Sequence, residues 1–168
     1  MILRSDITIN GKEYKAGDEI SSWLIYPFFL FHMLIFGGSG FFMAYSPDGA
    51  PVFFLYMHGG FAILVYLVFY LSLFGREAVK WMFINAALGI FGLYTEINWL
   101  LSFFGTTLAD YAWYVHVIPF LYYVLYTFLL RQAVIDFSGS RHDGEKRRAA
   151  DRYYIIISVT IYLVFYFL

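Results

Sequence analysis

A polar opening segment is followed by five apolar stretches, and this alternation organises the whole chain. Within residues 1–21, apolar and polar side chains alternate around Asn10-Gly11 from Ile7 to Tyr14. That dipeptide suits a type I′ turn because both positions tolerate positive φ, so a small hairpin is predicted, lying at the membrane surface. The apolar stretches run over about 23–45, 52–74, 79–104, 111–130 and 153–168. Runs of this length predict membrane-crossing helices rather than core helices of a soluble domain. The segments between them carry turn chemistry. Ser46-Pro47-Asp48-Gly49-Ala50-Pro51 and Gly105-Thr106-Thr107 do not continue a helix. Thr107 or Asp110 is placed to cap the helix after the second of these turns. The last run has 16 residues; at ~1.5 Å per residue it spans ~24 Å, short of a ~30 Å hydrocarbon core. The expected fold is all-α: a polytopic membrane helix bundle of five transmembrane helices with a short N-terminal hairpin at the membrane surface. Residues 1–21 form a polar cytoplasmic segment and residues 22–168 the five-span transmembrane domain.

Composition supports the membrane reading: 61% of residues are hydrophobic and 14% charged, where a soluble domain carries about 25% charge. A net charge of −1 gives no reason to expect a nucleic-acid partner. The absence of cysteine removes disulfides, thiolate metal sites and thiol nucleophiles. No cleavable signal peptide is expected, because the opening is polar and the first apolar run is too long for an h-region. The basic residues then fix an orientation. Arg4, Lys12 and Lys15 precede the first run; Arg76 and Lys80 lie between the second and third. Arg131, Arg141, Lys146, Arg147, Arg148 and Arg152 lie around the charged stretch 131–152. Together these are all 11 Lys and Arg residues, and all fall on one side. The positive-inside rule places that side in the cytoplasm, with the N-terminus cytoplasmic and the C-terminus periplasmic or outside, as in a bacterial inner-membrane protein.

Ionisable groups inside the apolar runs are the candidates for chemistry, since each costs several kcal/mol at membrane depth on insertion scales of roughly 2.5–3.5 kcal/mol. Glu96 is the lone acidic residue inside a run, and His32, His58 and His116 are the histidines there. Counting residues from the outer ends places His58, Glu96 and His116 at ~9–13 Å depth, in one layer, with His32 deeper. Asn85, Gly89, Gly92, Glu96 and Trp99 recur at helical spacing and predict an inward stripe on the third span. Gly37-Gly38-Ser39-Gly40 predicts close helix approach in the first span. Gly59-Gly60 beside His58 leaves room for a neighbouring helix or a flat ligand. Pro119, three residues after His116, frees the carbonyl of Val115.

These residues suggest three chemistries. His58 and His116 at matching depth are candidate axial ligands of haem b; the plain alternative is that each histidine hydrogen-bonds a neighbouring helix. His58, Glu96 and His116 are candidate ligands of a metal ion, and Glu96 with His32 a candidate proton path. For Glu96, the plain alternative is a protonated carboxyl bonded to Asn98, Tyr94 or a histidine. Aromatic clefts suit a lipid or quinone, although Trp23, Tyr45, Trp81, Tyr111, Trp113 and Tyr153 lie at span ends, where interfacial anchoring accounts for them. The stretch 138–148 reads as a solvated connector whose basic end is able to meet anionic headgroups. No serine-elbow motif supports a hydrolase. The expected function is a small integral subunit of a larger membrane assembly, redox or ion-translocating, with a histidine-ligated cofactor. The alternatives are a homo-oligomeric channel or transporter lined by Glu96 and the histidines, and a membrane enzyme acting on a lipid. Expected partners are the bilayer and either other membrane subunits or the chain itself.

Overall fold

The computed structural model describes residues 2, 3, 5–9 and 11–168. Strands β1 (Ile7–Ile9) and β2 (Lys12–Tyr14) pair antiparallel with Ile7 opposite Tyr14 and Ile9 opposite Lys12. Gly11 has φ +77°, the left-handed backbone that the turn requires; Asn10, the other expected turn residue, lies outside the described residues. Leu3 and Ile20 flank the hairpin and are buried, and Ile7 and Tyr14 pack on the same hydrophobic cluster as the helices. The hairpin is therefore docked onto one end of the bundle.

Among the described residues, five helical segments are long and apolar enough to cross a membrane: Ser22–Tyr45, Val52–Phe74, Arg76–Ser102, Trp113–Phe137 and Gly144–Phe167. The first two are single helices, α1 (Ser22–Tyr45) and α2 (Val52–Phe74). The third is assembled from α3 (Arg76–Val79), α4 (Met82–Gly92), a π-helical turn (Leu93–Ile97) and α5 (Asn98–Ser102). The fourth opens with a 3₁₀ turn, Trp113–His116, and continues as α6 (Val117–Phe137); the last is α7 (Gly144–Phe167). Pro119 falls in the first turn of α6, where the missing amide is an orphan in any helix, so it breaks no interior bond. Thr107 and Asp110 cap the preceding 3₁₀ turn (Leu108–Asp110) rather than α6, the Asp110 carboxylate accepting from the Thr107 amide at 2.7 Å.

The charged stretch 131–152 is mostly helix. α6 runs on to Phe137, and α7 begins at Gly144, nine residues before the apolar run does. Asp143 makes the early start possible by accepting from the amides of Glu145 and Lys146 at 3.0 and 3.1 Å. With 24 residues, α7 is ~36 Å long, enough for a full crossing.

α6 is the hub, meeting α1, α2, α4 and α7. Glycines let its neighbours approach closely. A Cβ at Gly59 of α2 would collide with Ile118, and one at Gly92 would collide with the Tyr123 phenol. Gly40 of α1 lies against the Tyr122 ring. The room beside His58 is thus filled on its Gly59 side by a neighbouring helix. The centre of the core is aromatic: Phe29, Tyr70, Phe74 and Phe128 are buried together, and the Tyr70 hydroxyl donates to the Leu125 carbonyl at 3.2 Å.

Candidate functional site

Glu96 stands in the π-helical turn. Such a turn adds a residue to one helical revolution and rotates the residues beyond it, and it is frequent at functional sites. Here it comes directly after Gly92, whose lack of a side chain admits Tyr123 of α6. The buried face passes from Asn85, Gly89 and Gly92 to Thr95, and Glu96 is left at the edge of the α6–α7 groove, half-buried. There its carboxyl faces the Tyr123 hydroxyl. Asn98 is engaged elsewhere, accepting from the Leu108 amide at 3.0 Å.

From Glu96 a polar ladder continues toward the end of the bundle that carries the hairpin. Tyr123 donates to the Tyr162 hydroxyl at 3.0 Å. Ser158, one turn earlier on α7, lies within side-chain reach of both Tyr162 and Tyr154. Tyr154 donates to the Thr127 carbonyl of α6 at 3.1 Å. Asp151 completes the row by pairing with Arg131 of α6 at 2.6 Å. Asp151, Tyr154, Ser158 and Tyr162 are spaced three, four and four residues apart, so they occupy one face of α7. That face is turned inward, and large apolar side chains such as Ile156, Leu163 and Phe167 are exposed on the outside.

Arg131 is 1% exposed and lies over the Trp81 ring, 4.1 Å from its centroid. A guanidinium here is held by a carboxylate on one side and an aromatic face on the other. Nearby, a second ionic knot ties the α6–α7 turn to α1. Asp136 accepts from both the Tyr26 hydroxyl and Arg141, and Arg141 also donates to Gln132 at 3.2 Å. Burial disfavours the charge on Arg141, but Asp136 and the Tyr26 hydroxyl outweigh it and hold the guanidinium's proton more tightly than usual.

The histidines are placed differently from the carboxyl. His58 Nε2 lies 2.9 Å from Ser39 Oγ, and His116 Nδ1 lies 3.0 Å from the Tyr45 hydroxyl. Both are therefore bonded to α1, at positions six residues and so ~9 Å apart along its axis. His116 sits in the 3₁₀ turn before α6, at the end of the bundle away from the hairpin, facing the backbone of Leu108 and Tyr111. His32 bonds the Phe28 carbonyl of its own helix at 2.8 Å. His32 and His58 line one α1–α2 cavity of about 470 Å³ with Phe36 and Phe61, whereas Glu96 lines the separate α6–α7 groove. Each imidazole is thus engaged through one ring nitrogen by a different turn of α1. Among the described residues, no three His, Cys, Asp or Glu side chains gather where a metal ion would sit.

The sequence signal that points to the ladder is the row 151, 154, 158, 162. Placing Asp151 in a loop and starting the last span at residue 153 hides it. No protein-family model matches the chain, and no curated protein or solved structure shows significant similarity to it.

Proposed function

We propose that the chain is a proton-handling subunit of a membrane assembly, with Glu96 as the group that takes up and releases the proton and the basic end of the bundle in the cytoplasm. The observation that carries this reading is the row of hydroxyls leading from Glu96 to the Arg131–Asp151 pair. A carboxyl at membrane depth favours the neutral form and needs partners when it ionises. Tyr123, which donates to Tyr162, is positioned to accept from the carboxylic acid, and donates to the carboxylate when its proton turns away from Tyr162. Each hydroxyl in the row both donates and accepts, so a proton taken on one lone pair releases the hydroxyl's own proton to the next member. Tyr162 and Ser158 relay in this way; Tyr154 spends its proton on the Thr127 carbonyl, so the last step to Asp151, tethered by Arg131, requires a water in the α6–α7 groove. His32 lies outside this row and is not needed for it.

The test is flux in proteoliposomes under a pH gradient. Glu96→Gln is expected to lower pH-driven proton flux at least tenfold, and Tyr162→Phe to slow it without abolishing it. Wild-type flux in Glu96→Gln would rule out a role for the carboxyl. The same row serves a homo-oligomeric channel or transporter, which native mass spectrometry separates from a subunit of a mixed assembly. A redox role for His58 and His116 would use the ring nitrogens that Ser39 and Tyr45 do not engage, His58 Nδ1 and His116 Nε2; reconstitution with haem and the absence of a Soret band would end that reading.

A further inference from the structure

Between α6 and α7 lies a groove of about 640 Å³ that is open on its outer side. Its walls are Tyr126, Leu130 and Val134 of α6 and Tyr153, Ile157 and Ile161 of α7. Its deep end is Glu96 with Tyr123 and Tyr162. At the basic end the small side chains of Ala149 and Ala150 widen it, and Ser138, Ser140 and Lys146 form a polar rim. On α6 the distance from Ser138 to Tyr123 is fifteen residues, ~22 Å, longer than one leaflet's share of a ~30 Å hydrocarbon core.

Two further features bear on what fills it. Lys146 is weakly committed: its nearest carboxylate oxygen, on Asp143, is 3.7 Å away, and its side chain is 68% exposed. The neighbourhood is also unbalanced in charge. Arg141 and Asp151 are bound to Asp136 and Arg131, which leaves Lys146, Arg147, Arg148 and Arg152 against Asp143 and Glu145. A largely apolar channel longer than one leaflet's share of the core, open to the surroundings of a membrane helix and carrying excess positive charge at its interfacial mouth, matches an anionic amphiphile.

We propose that the α6–α7 groove is the seat of an anionic phospholipid from the leaflet at the basic end, with its headgroup phosphate against Lys146 and one acyl chain laid along α6 and α7. The chain fills the space that the polar stripe of α7 leaves beside α6. The headgroup contact, on the first turn of α7, is separate from Glu96, while the acyl chain shares the groove with Tyr123, Tyr154, Ser158 and Tyr162.

Native mass spectrometry of the detergent-purified chain tests it, titrating phosphatidylglycerol and phosphatidylcholine of equal chain length. Wild type is expected to retain phosphatidylglycerol in preference to phosphatidylcholine. Lys146→Ala should reduce that preference about fivefold, the worth of one interfacial cation. Ala150→Phe, which fills the channel, should lower retention of both lipids, with circular dichroism confirming that the helices remain. A phosphatidylglycerol carrying a photoreactive acyl chain should label Tyr153 or Ile157 in the wild-type chain, a readout that needs no variant. Equal retention of the two lipids, no effect of Lys146→Ala, or labelling spread over all helices would mean annular lipid only and overturn the proposal. A dimer that sheds lipid would assign the groove to a second copy and overturn it too. Because the assay reads lipid rather than protons, its failure leaves the flux test of Glu96 standing, and the reverse also holds.

Discussion

At the scale of single residues, Arg131 carries the largest electrostatic liability in the chain. Its side chain is 2% exposed, that of its partner Asp151 13%, and the two are 2.6 Å apart. Removing one member of a buried pair strands the other charge, whereas replacing both with apolar residues removes both desolvation penalties. Arg131→Met is therefore expected to destabilise by about 3–5 kcal/mol, and adding Asp151→Leu should recover most of that loss. Thermal unfolding in detergent, run as a double-mutant cycle, measures it; single and double variants of equal stability would show that the pair is not coupled. The sequence displays Arg131 as the first basic residue after an apolar run, and that position reads as loop. Its burial depends on Trp81, fifty positions away, and on a helix that continues past it. Glu96 was legible for the opposite reason, since a lone carboxylate in a long apolar run has few bland explanations. Its partners were not legible, because a tyrosine in a membrane helix looks the same whether it anchors at an interface or faces a carboxyl.

Among the elements, α1 and α2 match their apolar runs closely, and α7 does not. Hydropathy sees the residues that lipid must accept, but a helix starts where its first amides find acceptors. For α7 that acceptor is the exposed Asp143 side chain. Its carboxyl is held below the usual carboxylate range, first by the Lys146 amide; slight desolvation opposes this, and the Glu145 amide and the Lys146 charge add to it. A lowered folded-state value means that the cap's contribution is complete above the ordinary carboxylate pKa of about 3.9 and is lost as pH falls through the folded value. Protection factors of the Glu145 and Lys146 amides, corrected for intrinsic exchange, should thus fall below about pH 4, near that ordinary carboxylate pKa. Asp143→Ala should show the same loss at pH 7; unchanged protection in that variant would remove the cap from the account. The π-helical turn was beyond sequence reading altogether. The 85, 89, 92, 96, 99 stripe fits an ordinary α-helix, and the extra residue appears only where Gly92 admits Tyr123.

For the whole molecule, the number of crossings and the end that bears the charge are separate statements with one common test. Five helices of crossing length put the two chain ends on opposite faces of the bundle. The hairpin ties the N-terminal region to the charged end: Glu19, Ile20 and Trp23 share a surface crevice with Asp136 and Phe137, beside the Asp136–Arg141 pair. The Lys80–Glu77 pair lies at the start of the third long helical segment, and Lys146–Asp143 at the start of the fifth. The turns at the other end hold Asp48 and Asp110 and no Lys or Arg. On the positive-inside rule such an end is expected to stay in the cytoplasm, an expectation that rests on no single residue. Reporter fusions at Gly139 and Leu168 turn this into an outcome. A reporter active only in the cytoplasm should work at Gly139 and be silent at Leu168, and one active only outside should do the reverse. Activity of the cytoplasmic reporter at both sites would withdraw α7 from the bilayer, and with it the wall that carries Tyr154, Ser158 and Tyr162 toward Glu96. If instead α7 crosses, its outward apolar face and inward polar stripe are both required: lipid covers the first, and α6 with Glu96 engages the second.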